Sequence, residues 1–247
     1  DVSGVFSADP RIVPNARKLP LVSFEEMLEM AASGAKVLQL RSVEYARTHD
    51  VRIHCRSSFE DGPGTVVIGE NETMEHPLIT AVTHSTEEAR ITVVGVPDRP
   101  GAAAEIFEAL ADANVNVDTI VQNEPRTDDI DAEVSFTCAS EDLHIAERTL
   151  APVIADFGGA KLETDPEVGK VSIIGAGMRS HPGVAARVFR VLADEQINIE
   201  LINTSPIKIT CLIRADSVPR AVGALHTAFE LGADDIQAEG GLGEEAR

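Results

Sequence analysis

Hydrophobic and polar positions alternate with different periods along the chain, and each change of period marks an element. After the turn-rich stretch SADPRIVPN, Ser23-Phe24-Glu25-Glu26 forms a capping box: the Ser23 hydroxyl accepts from the backbone N–H of Glu26, and the Glu26 side chain reaches back. A helix is expected from there to about Ala32, where Ser33-Gly34 breaks it, and a second from Ala35 to about Thr48. Alternation in VRIHCRSS and the apolar run TVVIG after Gly62-Pro63-Gly64 predict two strands. ENETMEH, Glu70 to His76, is polar throughout and reads as a linker.

From Ile91 onward one pattern occurs twice. Aligned on Gly101 and Gly183 without a gap, GAAAEIFEALADANVNVDTI lies over GVAARVFRVLADEQINIELI. A β-rich run precedes each glycine (ITVVGV, KVSIIGAG), and a strand follows each helix (VNVDTIVQN, INIELINTS). Each unit then adds an alternating strand (DAEVSFTCA, PIKITCLIRA) and a helix (DLHIAERTLAPVIADF, VPRAVGALHTAFEL), with KLETD and DDIQAEGG as candidate last strands. The order β-α-β-β-α-β predicts two ferredoxin-like modules, each an antiparallel sheet with two helices on one face, behind an α/β segment. Ala103, Ile106, Phe107 and Leu110 form an i, i+3, i+4, i+7 stripe that Ala185, Val188, Phe189 and Leu192 repeat, so these eight are expected in core.

The polar residues of the repeat carry the chemistry. A helix N-terminus presents unpaired N–H groups and a partial positive charge, and Gly101 and Gly183 let a ligand approach that backbone. Asp98, Asn116, Asp118 and Gln122 flank the first turn; Arg179, Ser180, His181, Asn198, Glu200, Thr204 and Ser205 flank the second. An acid beside a carboxylate seat suits a zwitterionic amino acid, whereas a phosphate would call for more cations than Arg99. The other reading of the same residues is local: Asp98 and Ser180 cap turns, and the asparagines satisfy strand ends.

Composition narrows the partners. Forty-one acidic and 21 basic residues give a net charge of −20, which repels nucleic acid and anionic lipid. No apolar run reaches the roughly 18 to 20 residues of a membrane helix, and a cytoplasmic location is expected. The three cysteines, Cys55, Cys138 and Cys211, lie too far apart for a CxxC motif and are expected as reduced core residues; the seven histidines form no HxxxH pair, and no metal site is expected. The opening DVSGVF, with Asp rather than Met in a structured-looking segment, is what a piece of a longer protein would show.

Taken together, these motifs resemble the C-terminal part of aspartokinases of the feedback-controlled bacterial type. DVSGVFSADPRIVPNARKL is similar to the nucleotide side of that kinase domain, FEEMLEMAASGAKVLQLRSVEYA to its closing helices, and RIHCRSS with PGTVV to its last strands. PDRPG, VNVDTIVQN, GAGMRSHPGVAARVF and INIELINTS resemble signatures of two ACT modules. The resemblance implies an amino-acid-kinase tail over residues 1–75, a first ACT module with its leading strand over 76–167, and a second over 168–247.

It also implies roles. Asp1, Phe6, Arg11 and Lys36 would lie near ATP, supplied with Mg2+ as substrate, with Phe6 packing on the purine where a tyrosine is more usual. Effector contacts would come from Asp98, Gly101, Ala102, Asn116 and Gln122 in the first module and from Met178, Ser180, His181, Asn198, Thr204 and Ser205 in the second, with lysine and/or threonine as ligands. Two departures stand out: TSP at Pro206 where the family reads TSE, and QNEPRTDD in place of a Ser-rich continuation. The family's N-terminal catalytic motifs lie upstream of this stretch, so the chain alone is not expected to phosphorylate aspartate. A homodimer, or a complex with a full-length kinase chain through the ACT modules, is expected. The alternative is a separately expressed, non-catalytic regulatory subunit, for which Met74 matches an internal start.

Overall fold

The computed structural model describes residues 2–69, 77–123 and 132–232. Asp1, the predicted linker with Met74, most of QNEPRTDD and the predicted last strand DDIQAEGG lie outside them. In chain order the elements are β1 (Leu21–Ser23), α1 (Phe24–Ala32), α2 (Leu40–Thr48), β2 (Ile53–Cys55), β3 (Thr65–Ile68), β4 (Ala81–Val96), α3 (Ala102–Asp112), β5 (Val117–Asn123) and β6 (Ala132–Ala139). Then follow α4 (Leu143–Asp156), β7 (Lys161–Ile174), α5 (Val184–Asp194), β8 (Leu201–Ser205), β9 (Lys208–Arg214) and α6 (Val218–Ala228).

These form two compact units. The first comprises Asp1–Ser85 with Lys170–Arg247, the second Thr86–Gly169. Strands β4 and β7 each run through a boundary. The polar half of β4, including HSTEEAR, showed no apolar run, so only ITVVGV was legible as strand; KLETD and KVSII, read as separate strands, are one.

The second unit is a complete βαββαβ module with strand order β7-β4-β6-β5, the ferredoxin-like arrangement expected. Alternate residues of β4 (Ala89, Ile91, Val93) and β6 (Val134, Phe136, Cys138) join Ile106 and Leu110 of α3 and Ala146 and Leu150 of α4 in one core, so both helices cover the same sheet face. Pro166 sits within β7.

In the first unit the second repeat has the same order, with a difference in provenance. Its strands run β4-β7-β9-β8, and the fourth position is filled by Ala81–Ser85, the start of β4, not by chain that follows α6 in the described residues. The repeats match even on the sheet face away from the helices: the buried hydroxyl pair Thr92–Ser135 (2.9 Å) recurs as Ser172–Thr210 (2.8 Å). Ile106, Leu110, Val188 and Leu192 are fully buried, as their period requires, while Ala103, Phe107, Ala185 and Phe189 are half-buried. The fully buried line instead runs through Ala102 and Val184, one residue before each stripe's predicted start.

The rest of the first unit is the N-terminal segment, a three-stranded sheet of order β1-β3-β2, with β1 parallel and β2 antiparallel to β3. The capping box forms as predicted: Glu26 N–H donates to Ser23 Oγ (3.2 Å) and Ser23 N–H to Glu26 Oε2 (3.3 Å). The second helix starts at Leu40, not Ala35, because Gly34 (φ 101°) closes α1, with Ala35 N–H on Met30 O, and the chain then turns before Gln39 caps α2. Val43 and Ala46 point inward and Tyr45 outward. Ala8, Val13 and Ala16 share the core of the second repeat with Val188, Leu192 and Leu225, so the segment and the repeat are one folded body.

Candidate functional site

The second Pro-Gly turn opens a cleft. Gly183 holds the left-handed conformation (φ 97°, ψ −10°) that caps α5 and that a side chain would strain. From there the first-turn N–H groups of α5, which have no intrahelical acceptor, look into a space of about 390 Å³. Met178, Arg179 and His181 line one wall, Gly183, Val184 and Ala185 the floor, and Thr204, Ser205, Pro206 and Ile209 the other wall. The lining holds two cationic-type side chains, two hydroxyls and no carboxylate. Such a lining is chemically suited to an anionic group, and the space is at the small end of ligand pockets, roughly 300–1,000 Å³.

Of the six residues expected in this site, the cleft gathers Met178, His181, Thr204 and Ser205. Ser180 and Asn198 are exposed and do not line it. Ser180 Oγ turns back on Gly177 O (3.4 Å) and the His181 ring (3.2 Å), the local capping role that its residue type also allowed. His181 is steered by its own contact, Nδ1 to Gly177 O at 2.8 Å. Gly183 lies in the lining as the glycine of the second seat. Val184, Ala185 and Ile209 were not named for the site; Ile209 reads as core in any alternating strand.

The first turn has the same backbone and other chemistry. Gly101 caps α3 with φ 98° and ψ −18°. Asp98, Gly101, Asn116 and Gln122 are all exposed, the last two before and on the edge strand β5, which carries a bulge between Asp118 and Ile120. Ala102 turns its side chain into the core, which leaves its backbone at the turn, where its N–H donates to Arg99 O (3.3 Å). Arg99 is tied to Glu105 of α3 by two 2.8 Å hydrogen bonds, which hold the Glu105 carboxyl below the usual carboxylate range, and its guanidinium lies 5.9 Å from the Phe157 ring.

The nucleotide-side candidates are spread over the N-terminal segment. Phe6 lines a second cleft, of about 320 Å³, with Val2, Ser3, Ser57, Phe59 and Glu60. Arg11 does not line it; its guanidinium is clamped on Asp9 (2.6 Å), and this hydrogen bond lowers the Asp9 pKa. Lys36 is exposed in the turn between α1 and α2. That turn is fastened through Gly34, where a Cβ would collide with the carbonyl of His84 on β4. Burial lowers the His84 pKa; the charges of Arg11 and Lys36 act in the same direction and Asp9 opposes them.

The three cysteines are buried and free. Burial pushes the Cys138 thiol up to about 11 and the Cys211 thiol up to about 12, so both stay protonated at neutral pH. Among the described residues no group of three or more His, Cys, Asp or Glu side chains could hold a metal ion, and no helix is long and apolar enough to cross a membrane.

Comparison with known proteins fits this geometry. Residues 90–154 and 171–229 match ACT domain families, and residues 1–57 match the amino acid kinase family. The chain is 53% identical to the aspartokinase of Mycolicibacterium smegmatis over 95% of its own length and 56% of that protein's. It also covers 99% of the ligand-free regulatory subunit of aspartate kinase from Thermus thermophilus, at 36% identity over 62% of this chain and a TM-score of 0.58. The chain belongs to the aspartokinase family. It spans a little over half the length of the curated aspartokinases it matches. Escherichia coli aspartokinase III, solved with lysine and aspartate in its T-state, superposes with a TM-score of 0.72 at 28% identity, over 93% of this chain and 50% of that one. An aspartokinase C-terminal part, with the end of the kinase domain followed by two ACT modules, is thus what the first unit and the inserted second unit make up.

Proposed function

We propose that this chain is the effector-sensing part of an aspartate kinase that transfers the γ-phosphoryl of ATP, delivered with Mg2+, to the side-chain carboxylate of L-aspartate in the cytoplasm. Phosphoryl transfer would come from a protein that also carries the remaining amino-acid-kinase segment, with Asp1, Phe6, Arg11 and Lys36 on its nucleotide side. For Arg11 to reach a phosphate it would have to leave Asp9.

The sensing role belongs to the ACT modules, with lysine and/or threonine as effectors; the T-state complex of the E. coli enzyme with lysine supports an amino-acid ligand. The observation that carries the reading is the carboxylate-free cleft at the start of α5. An amino acid would set its carboxylate on the N–H groups of Val184 and Ala185, beside Arg179 and His181, and hydrogen-bond Thr204 and Ser205. Without an acid to meet a second ammonium, this cleft favours threonine over lysine. Asp98 offers such an acid only at the first turn, whose expected contacts are Gly101, Ala102, Asn116 and Gln122; the Ala102 N–H would have to leave Arg99 O to take part. Ser180 and Asn198 would join the second site only after rearrangement. Calorimetry on the chain tests this: threonine should give saturable heat, and no heat and no thermal shift with either amino acid at millimolar concentration would refute the sensor.

A second reading, a separately made regulatory subunit, is favoured by the near-complete coverage of the Thermus thermophilus regulatory subunit. Under either reading the modules would assemble in pairs or with a full-length kinase chain. Exposed Ile120 and Ile202 on the edge strands β5 and β8 support such pairing. Light scattering that gives a monomer at all concentrations would exclude a homodimer.

A further inference from the structure

Helix α1 belongs to the N-terminal segment, yet two of its acidic side chains hold the two walls of the cleft at α5. Glu26 is 3% exposed, and its carboxylate is fully engaged. Oε2 accepts from Ser23 Oγ (2.8 Å) and Ser23 N–H (3.3 Å), as the capping box requires. Oε1 accepts from two groups far away in sequence: Thr80 Oγ1 (2.6 Å) and the backbone N–H of Ala176 (3.0 Å). Ala176 is the first residue of the 3-10 turn Ala176–Ser180, which carries Met178 and Arg179 into the cleft.

One helical step further, Glu29 pairs with Lys208 (2.7 Å), and both side chains are mostly sheltered, 28% and 16% exposed. Lys208 stands opposite Ser205 across the hairpin whose turn residue, Pro206, forms the other wall. The 3-10 wall has little slack of its own. A Cβ on Gly177 would lie 2.7 Å from Pro77 O, and one on Gly175 would collide with Leu78 O, so this turn is packed on the backbone that leads into β4.

We propose that Glu26 and Glu29 are positioning residues that fix the width of the α5 cleft and carry its occupancy to helix α1. This rests on the reading of the cleft as an amino-acid site and names the route by which that site acts. A ligand that draws the 3-10 turn and the hairpin together moves Ala176 N–H and Lys208 Nζ relative to each other. Helix α1 holds both through side chains an i, i+3 step apart, so it must shift with them or release one. By linkage, whatever fixes α1 in the kinase body sets effector affinity by the same factor.

Hydrogen exchange on the chain, with and without threonine or lysine, tests this. Threonine should protect the cleft walls, residues 176–185 and 204–209, and also residues 24–32 of α1. In Glu29→Lys the walls should still gain protection while that of α1 falls by about fivefold, and the charge exchange Glu29→Lys/Lys208→Glu should restore it to within about twofold of the parent. Glu26→Gln sets an amide N–H₂ against a backbone N–H, that of Ala176 or that of Ser23, whichever way the amide turns; should it fail to fold, the Glu29 and Lys208 variants still decide the matter. Protection of the walls with none in α1, or a Glu29→Lys chain indistinguishable from the parent, overturns the proposal and leaves the amino-acid site standing. No protection anywhere with either ligand overturns both.

Discussion

Gly101 and Gly183 hold nearly the same dihedrals, φ 98° and 97°, and each opens a helix of 11 residues. Each helix closes in the same way, with a left-handed residue at φ 57° (Asn114, Gln196) and a following N–H returned to Leu110 O or Leu192 O. The scaffold is therefore duplicated down to its caps, including a glutamine where asparagine is the easier fit. What differs is the set of side chains at the seat. At the first turn Arg99 is consumed by Glu105; in the second the corresponding residues are His181, which lines the cleft, and Arg187, which turns away to Ala228 O and stacks 4.8 Å from the Phe229 ring. Duplication kept the backbone that can seat a carboxylate, and divergence decided where positive charge faces it.

Valine at either glycine separates scaffold from chemistry, with the largest expected effect. Neither new Cβ meets a close neighbour, so Gly101→Val and Gly183→Val should each lower stability by a similar amount, about 1–2 kcal/mol of backbone strain. Threonine affinity by calorimetry should nevertheless fall by about 30-fold or more, roughly 2 kcal/mol, for Gly183→Val and stay within about twofold for Gly101→Val. Equal losses would mean that the second cleft is not the threonine site.

Acid should also tell the units apart. The first unit holds His226, 1% exposed, with Nε2 3.0 Å from Ser7 Oγ, and half-buried His84; burial lowers both pKa values, and the Arg17 charge adds to the effect at His226. The second unit has only His144, whose side chain is 92% exposed. A histidine with a depressed folded pKa leaves stability intact above its unfolded value of 6.5 and takes it away as pH falls from there through the folded pKa. Between about pH 7 and about pH 5, amide protection factors, taken relative to the intrinsic exchange rate at each pH, should fall in the first unit well before the second, and His226→Gln should reduce the difference. A parallel fall of the protection factors in both would refute the assignment.

Smaller effects probe the polar sets. Pro206→Glu puts an acid into a lining that has none and should improve lysine binding over threonine by about three- to fivefold, near the 1 kcal/mol of a partly exposed ion pair. A competition titration that shows no change in selectivity would deny Pro206 a place at the ligand. Asp98→Ala should weaken a ligand at the first turn by about threefold, whereas Glu108→Ala, on the outer face of α3, should do nothing measurable. Equal effects would remove Asp98 from the recognition of an ammonium group.

Much of this was legible in the residue order because it is local. The capping box at Ser23, the ungapped repeat and the left-handed glycines all follow from near neighbours. The parts that were not legible depend on partners distant in the chain. Glu26 declares its bonds to Ser23 but not those to Thr80 and Ala176. The packing of α3 turns the Ala102 methyl into the core and leaves only its backbone at the seat. HSTEEAR within β4 carries no strand period of its own, because sheet pairing, not an apolar period, makes it a strand.

The provenance of that half-strand affects how the molecule is made. The first unit begins with Asp1–Ser85 and is completed only from Lys170 onward, whereas the second is one uninterrupted stretch. On a ribosome the inserted module can fold as soon as it emerges. The N-terminal segment, with the edge strand for the later repeat already in hand, must wait for its missing half on the order of ten seconds at ordinary synthesis rates. A gene cut just before Lys170 would deliver the later repeat without that edge strand. The two repeats that look interchangeable on paper are therefore unequal as building blocks: one is a single stretch of chain, and the other is assembled from two stretches that flank it in the sequence.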